Sequence, residues 1–115
     1  MASLINTTGK NIALDAIGTA CTYAALYTDA AGTTEVTGGS PAYARKAITW
    51  AAASSGSKAL NGTMPVFDVP ACTVMAVGLC TALTAGTQHV VDDVTSEVFA
   101  AQGTYTVTAG TISIT

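Results

Sequence analysis

The chain offers few residue types in spacings that could do chemistry. His89 is the sole histidine, and Asp92 and Asp93 follow it by three and four positions. On a helix those groups would share a face, but this stretch reads as strand and turn. A metal site converges three or four ligands, so the three residues read as a solvated turn. A Ser–His–Asp triad would need His89 as its base, and no G-x-S-x-G motif accompanies it. Asp15, Asp29, Glu35, Asp68 and Glu97 are scattered. Only the fold could bring two of them together for glycoside hydrolysis. Dispersed acids in a β-rich chain more often serve strand ends and turns. Gly38-Gly39 is no phosphate loop, because neither a Lys-Ser/Thr pair nor a helix follows it. The expectation is a non-enzymatic protein with no cofactor and no metal.

Binding chemistry is the remaining class. Tyr23, Tyr27, Tyr43 and Trp50 could form a sugar-stacking face or supply the bulk of a core otherwise poor in large side chains. Trp50 reads as core, and Tyr43 fits either role. Arg45-Lys46 is the only basic pair. In a strand its two members point to opposite sides, so it makes no basic patch. Cys21, Cys72 and Cys80 are odd in number, which argues against a disulfide framework. If residues 72–80 form one strand, the last two cysteines stand about 26 Å apart, beyond the reach of a disulfide. All three read as small buried hydrophobes made in a reducing compartment.

The elements that must position these residues are constrained by composition. The 115 residues bound one domain. Half of them are apolar, yet only 6% are aromatic, and Ala, Thr, Gly and Ser dominate. Small side chains bury little area each, so the core should be thin. Charged residues are 10% of the chain, against about 25% in an average soluble domain. Faces so poor in charge suit a protein covered by neighbours, and oligomerisation would supply the missing burial. The net charge of −3 excludes a basic nucleic-acid footprint. No apolar run is long enough to span a membrane, and the N-terminus lacks the pattern of a secretory signal. Release from the cell would then require another route, such as lysis.

In chain order, residues 1–19 form an N-terminal arm with a short helix of at most two turns, capped by Thr8 or Asn11 and ended by Gly18. Residues 20–115 form a β domain. Met1–Thr7 reads either as a frayed end or as an arm reaching onto a neighbour through Leu4 and Ile5. Ala20–Thr28 alternates as a strand, with Tyr23, Ala25 and Tyr27 on one face and Ala24 and Leu26 on the other. Glu35-Val36 is a short edge piece, and Tyr43–Ala52 is a strand. Lys58–Leu60 and Thr63–Val69 read as a hairpin about an Asn61-Gly62 type I′ turn. Thr73–Thr81 is the central buried strand. Two short strands flank Asp92-Asp93, and a hairpin about Ala109-Gly110 closes the chain. About eight short, mainly antiparallel strands at regular spacing indicate a β-sandwich or jelly roll.

The order of several pieces resembles a family of small virion structural proteins of tailed bacteriophages, described as tail-fibre or head-decoration proteins. They are Ala24–Thr28, Glu35–Ser40, Tyr43–Trp50, Ala51–Ser54, Phe67–Ala71, Val77–Leu79, Glu97–Phe99 and Gly103–Val107. The chain departs from the family pattern by inserting Pro41-Ala42 after the Gly-Gly turn and by placing Cys80 where an aromatic is common. The resemblance implies an all-β sandwich without catalysis that assembles into the particle. The first expectation is therefore a capsid decoration protein, a homotrimer on the phage major capsid protein, assembled in the host cytoplasm. The alternative is a tail-associated fibre or glycan-binding module. Leu4, Ile5, Tyr43, Arg45 and Lys46 are the candidates for contact with partners.

Overall fold

A side-chain cap decides where the N-terminal helix begins. The computed structural model of the protein describes residues 3–114, so the first two residues of the expected arm lie outside the described residues. Helix α1 spans Thr7–Ala20. The Oδ1 of Asn6 accepts from the Gly9 N–H at 2.9 Å and satisfies an orphan donor of the first turn. The helix is longer than the sequence suggests because its cap is Asn6, not Thr8 or Asn11, and because it runs on through Gly18 to Ala20. Gly18 is buried inside the helix, where an added Cβ would lie 2.2 Å from Lys58 Cε. The glycine makes room for a lysine stem. Asp15 sits on this helix.

Among the described residues nine strands follow: β1 Tyr23–Tyr27, β2 Lys46–Ala47, β3 Thr49–Trp50, β4 Ser57–Asn61, β5 Val66–Val69, β6 Cys72–Cys80, β7 Gln88–Phe99, β8 Gly103–Thr106 and β9 Thr111–Ser113. They form a four-stranded sheet in the order β2-β1-β6-β7, a three-stranded sheet β3-β4-β9 and a two-stranded ribbon β5-β8. All pairings are antiparallel. This is a small β-sandwich, as the strand spacing indicates. Its radius of gyration is 15.0 Å and its extents are 51 × 29 × 24 Å. A compact chain of this length would have a radius near 13 Å by the usual scaling, about 2.2·N^0.38, so the body is elongated.

Several pairings differ from the local reading. Tyr43–Ala52 is not one strand. Lys46-Ala47 pairs with β1, whereas Thr49-Trp50 pairs with β4 in another sheet. Buried Ile48 sits at the crossing, its N–H donating to Thr22 O at 3.0 Å. Asn61-Gly62 does not close a hairpin, since β4 pairs with β3 and β9 while β5 pairs with β8. The closing hairpin is absent too: β8 and β9 join different sheets. Asp92-Asp93 does not interrupt a strand but lies within the continuous β7. That strand is a sheet edge, where outward charges are expected because they discourage pairing with other chains.

The main core lies between the inner face of the four-stranded sheet, the two smaller sheets and α1. Its centre holds Leu14, Leu26, Val36, Phe67, Val69 and Val74. A smaller cluster on the other face of the large sheet joins Ala25, Tyr27, Ala76 and Cys80. The alternation read in β1 separates these clusters as expected. In β6 the alternation breaks. Cys72 and Val74 face the main core, then Val77 and Leu79 do so, and the β6–β7 register shifts between Val74 and Ala76. A bulge of this kind re-aims the side chains that follow it. Cys21 and Cys80 are buried as expected, whereas Cys72 is only half-buried, and all three are free thiols.

Candidate functional site

Two polar-aromatic clusters stand out. The first gathers Tyr43 and Arg45. Glu35 forms a bridge with Tyr27 that extends the edge of β1. From there its carboxylate meets Arg45 in a two-point ion pair, with Arg45 Nη2 to Oε1 and Nε to Oε2 both at 2.9 Å. The remaining guanidinium nitrogen donates to the carbonyls of Ala82 (3.0 Å) and Ala85 (2.7 Å), pinning the 81–87 loop. The Tyr43 hydroxyl donates to Glu35 Oε2 at 2.8 Å and accepts from the Leu26 N–H at 2.9 Å. Its ring stacks on Phe67 with centroids 6.1 Å apart.

The electrostatics match a closed network. Burial pushes the Glu35 carboxyl up, but the hydrogen bonds from Arg45 and Tyr43 and the Arg45 charge outweigh it, leaving Glu35 below its ordinary value. Burial raises the Tyr43 phenol, and its bond to Glu35 raises it further. Every polar atom of the trio is spent inside the protein. The Tyr43 hydroxyl is thus committed within the protein, and its ring is half-buried against Phe67. Lys46 lies on β2 outside this network.

A second internal charge ties helix to sheet. Buried Lys58 donates to Asp15 Oδ1 at 2.6 Å and to Ala51 O at 2.9 Å. Asp15 also accepts from the Ala53 N–H at 2.9 Å. The Lys58 hydrogen bond, then that from Ala53, holds the Asp15 carboxyl below its usual range.

At the N-terminus, Leu4 is 94% exposed, Ile5 53% and Ile12 66%. The two candidates from the arm are thus open to solvent, and Ile12 joins them from the outer face of α1, where the sequence gave no signal beyond its apolar type.

The second polar-aromatic cluster lines a cleft of about 330 Å3 between β7, β8 and the 107–112 segment. Trp50 and Tyr105 face it, with Val77, Leu79 and Ile112 among its apolar lining and Asp92 and Asp93 among its polar lining. Trp50 is fixed by its indole N–H, which donates to Cys21 O at 2.9 Å. Tyr105 is held edge-on to Phe99. Asp92 pairs with Val77 across the ladder, and its neighbours Val90 and Val94 pack against the core. Partial burial and then the adjacent Asp93 raise its carboxyl above the ordinary value. His89 shares the strand without converging on the aspartates. Among the described residues, no group of three or more His, Cys, Asp or Glu could hold a metal ion.

Comparison with known families then decides the class. The family model described as Podophage GP4 fiber I protein gp80 matches residues 2–115. The chain belongs to this phage fibre family. It is accordingly a bacteriophage virion structural protein, and the family supports the fibre reading in place of the expected capsid decoration. No curated protein and no solved structure matches the chain. None of its helices is long and apolar enough to cross a membrane among the described residues.

Proposed function

We propose that this chain is a non-enzymatic module of a podophage tail fibre. The observation that carries the reading is the fibre-family match along residues 2–115. The elongated body, 51 Å in its longest dimension, suits a unit stacked in an appendage. The sparse charge suits a surface covered by neighbours. The network around Arg45 suits a body that must hold its shape, because it fastens a surface loop to the sheet edge through groups that are already paired.

Attachment would run through the N-terminal end. Leu4, Ile5 and Ile12 are large apolar side chains left open to water, and covering them by further copies or by an adjoining virion protein would remove that exposure from solvent. Immunogold labelling of purified particles tests the assignment. Label on the tail appendages supports it, whereas label spread over the head would return the decoration reading.

A further inference from the structure

We propose that the cleft between β7, β8 and the 107–112 segment is a binding site for a neutral saccharide, with Trp50 and Tyr105 as its aromatic walls and Asp92 as its hydroxyl acceptor. The argument starts from what the cleft leaves unused. Around Glu35 each carboxylate oxygen, each guanidinium nitrogen and the Tyr43 hydroxyl has a partner. In the cleft, the shifts of the Asp92 carboxyl and the Tyr105 phenol arise from partial burial and nearby acids, with no hydrogen bond contributing to either. Those groups stand beside apolar floor and two aromatic rings that are themselves held in place. A volume of about 330 Å3 lies within the range of small-ligand sites, roughly 300–1,000 Å3.

Charge then selects the ligand. No Lys or Arg lines the cleft, and two aspartates do. An anionic ligand is repelled. A simple amine would use the acceptors but not the donors, because an ammonium group cannot accept. The cleft has both kinds: Thr106, Thr108 and the Tyr105 hydroxyl can donate or accept, while an Asp92 carboxylate accepts. A sugar ring carries hydroxyls that do both at its edge, and apolar C–H faces that rest on aromatic surface. A purely apolar occupant would leave Asp92 desolvated and unpaired.

The site is independent of where the protein sits on the particle, so it can fail while the fibre assignment stands, and the reverse. Trp50 is the only tryptophan, which makes its fluorescence a direct reporter of occupancy. Full-length protein is titrated to millimolar levels with methyl α-mannoside, methyl β-galactoside, methyl α-rhamnoside and N-acetylglucosamine. N-acetylneuraminic acid serves as the anionic probe and putrescine as the amine. Expected is a saturable change in emission with at least one neutral sugar and a smaller one with the charged probes. Asp92→Asn should weaken that response about tenfold or more, the usual scale for losing a hydrogen bond to a charged group. Unaltered urea unfolding of the same variant shows that the fold is intact. No response to any neutral sugar overturns the proposal, as does a stronger response to either charged probe or an undiminished response in Asp92→Asn.

Discussion

The Glu35–Tyr43–Arg45 network and the Trp50–Tyr105–Asp92 cleft are built from the same materials, aromatic rings beside carboxylates, and they do opposite things. In the first, each carboxylate oxygen and each guanidinium nitrogen already has a partner within the chain. In the second, the Trp50 indole N–H is spent on Cys21 O and Tyr105 is held against Phe99, while the Asp92 carboxyl and the Tyr105 hydroxyl remain open. Residue type alone does not separate structure from recognition. What separates them is whether the polar atoms are spent, because a buried group that loses its partner costs stability whereas an open one is available to a ligand.

Breaking the closed network should have the largest effect. Glu35→Ala leaves the Arg45 guanidinium, 13% exposed, without its counter-ion, and a loss of about 3 kcal/mol is expected from breaking such a pair. It would be read as a lower urea midpoint with an unchanged slope. Gly18→Ala comes next and tests the other paired charge. Alanine ordinarily favours a helix over glycine, yet here its Cβ would drive Lys58 from its place against Asp15. A net loss of about 1 kcal/mol is expected, the lower end of overpacking costs, and a gain in stability would show that Lys58 is free to move aside. Acid sharpens the comparison last. Glu35, Asp15 and Asp29 all have lowered folded-state values. The unfolded chain therefore binds more protons at low pH, and their contribution is present above the ordinary carboxylate range, about pH 4, and lost as pH falls through the lowered values. Urea midpoints should drop between pH 5 and pH 3, and drop less in Glu35→Ala, because one of the three contributions has gone.

The sequence made the class of fold and the faces of its strands legible. Period-two alternation in β1 divides two buried clusters, Ala24 and Leu26 from Ala25 and Tyr27, and in β5 buried Phe67 and Val69 alternate with Val66 and Asp68. Partners were less legible, since pairing is settled by contacts between distant segments. Asn61-Gly62 carries the local signal of a hairpin turn, yet β4 finds its neighbours upstream and at the far end of the chain. Gly18 looks like a helix stop because the close approach of Lys58 that demands a glycine is a tertiary fact. Asp92-Asp93 looks like a turn because an edge strand carries the polar residues that also mark loops. Tyr43 and Arg45 stand out by type in the sequence, and the network that joins them to Glu35 is one that only the fold assembles. Trp50 and Tyr105 lie far apart in sequence, and nothing local announces that they share a cleft.

Removing one phenol oxygen at each place compares the two regions by the same chemical change. Urea unfolding of Tyr43→Phe and Tyr105→Phe, side by side, measures the difference. Tyr43→Phe should lose about 1–3 kcal/mol, because the Leu26 N–H and Glu35 lose their shared partner. Tyr105→Phe should stay within about 0.5 kcal/mol of the parent protein, as expected for a side chain without such a bond. Equal losses, or a larger loss at Tyr105, would contradict the division between a closed structural network and an open site.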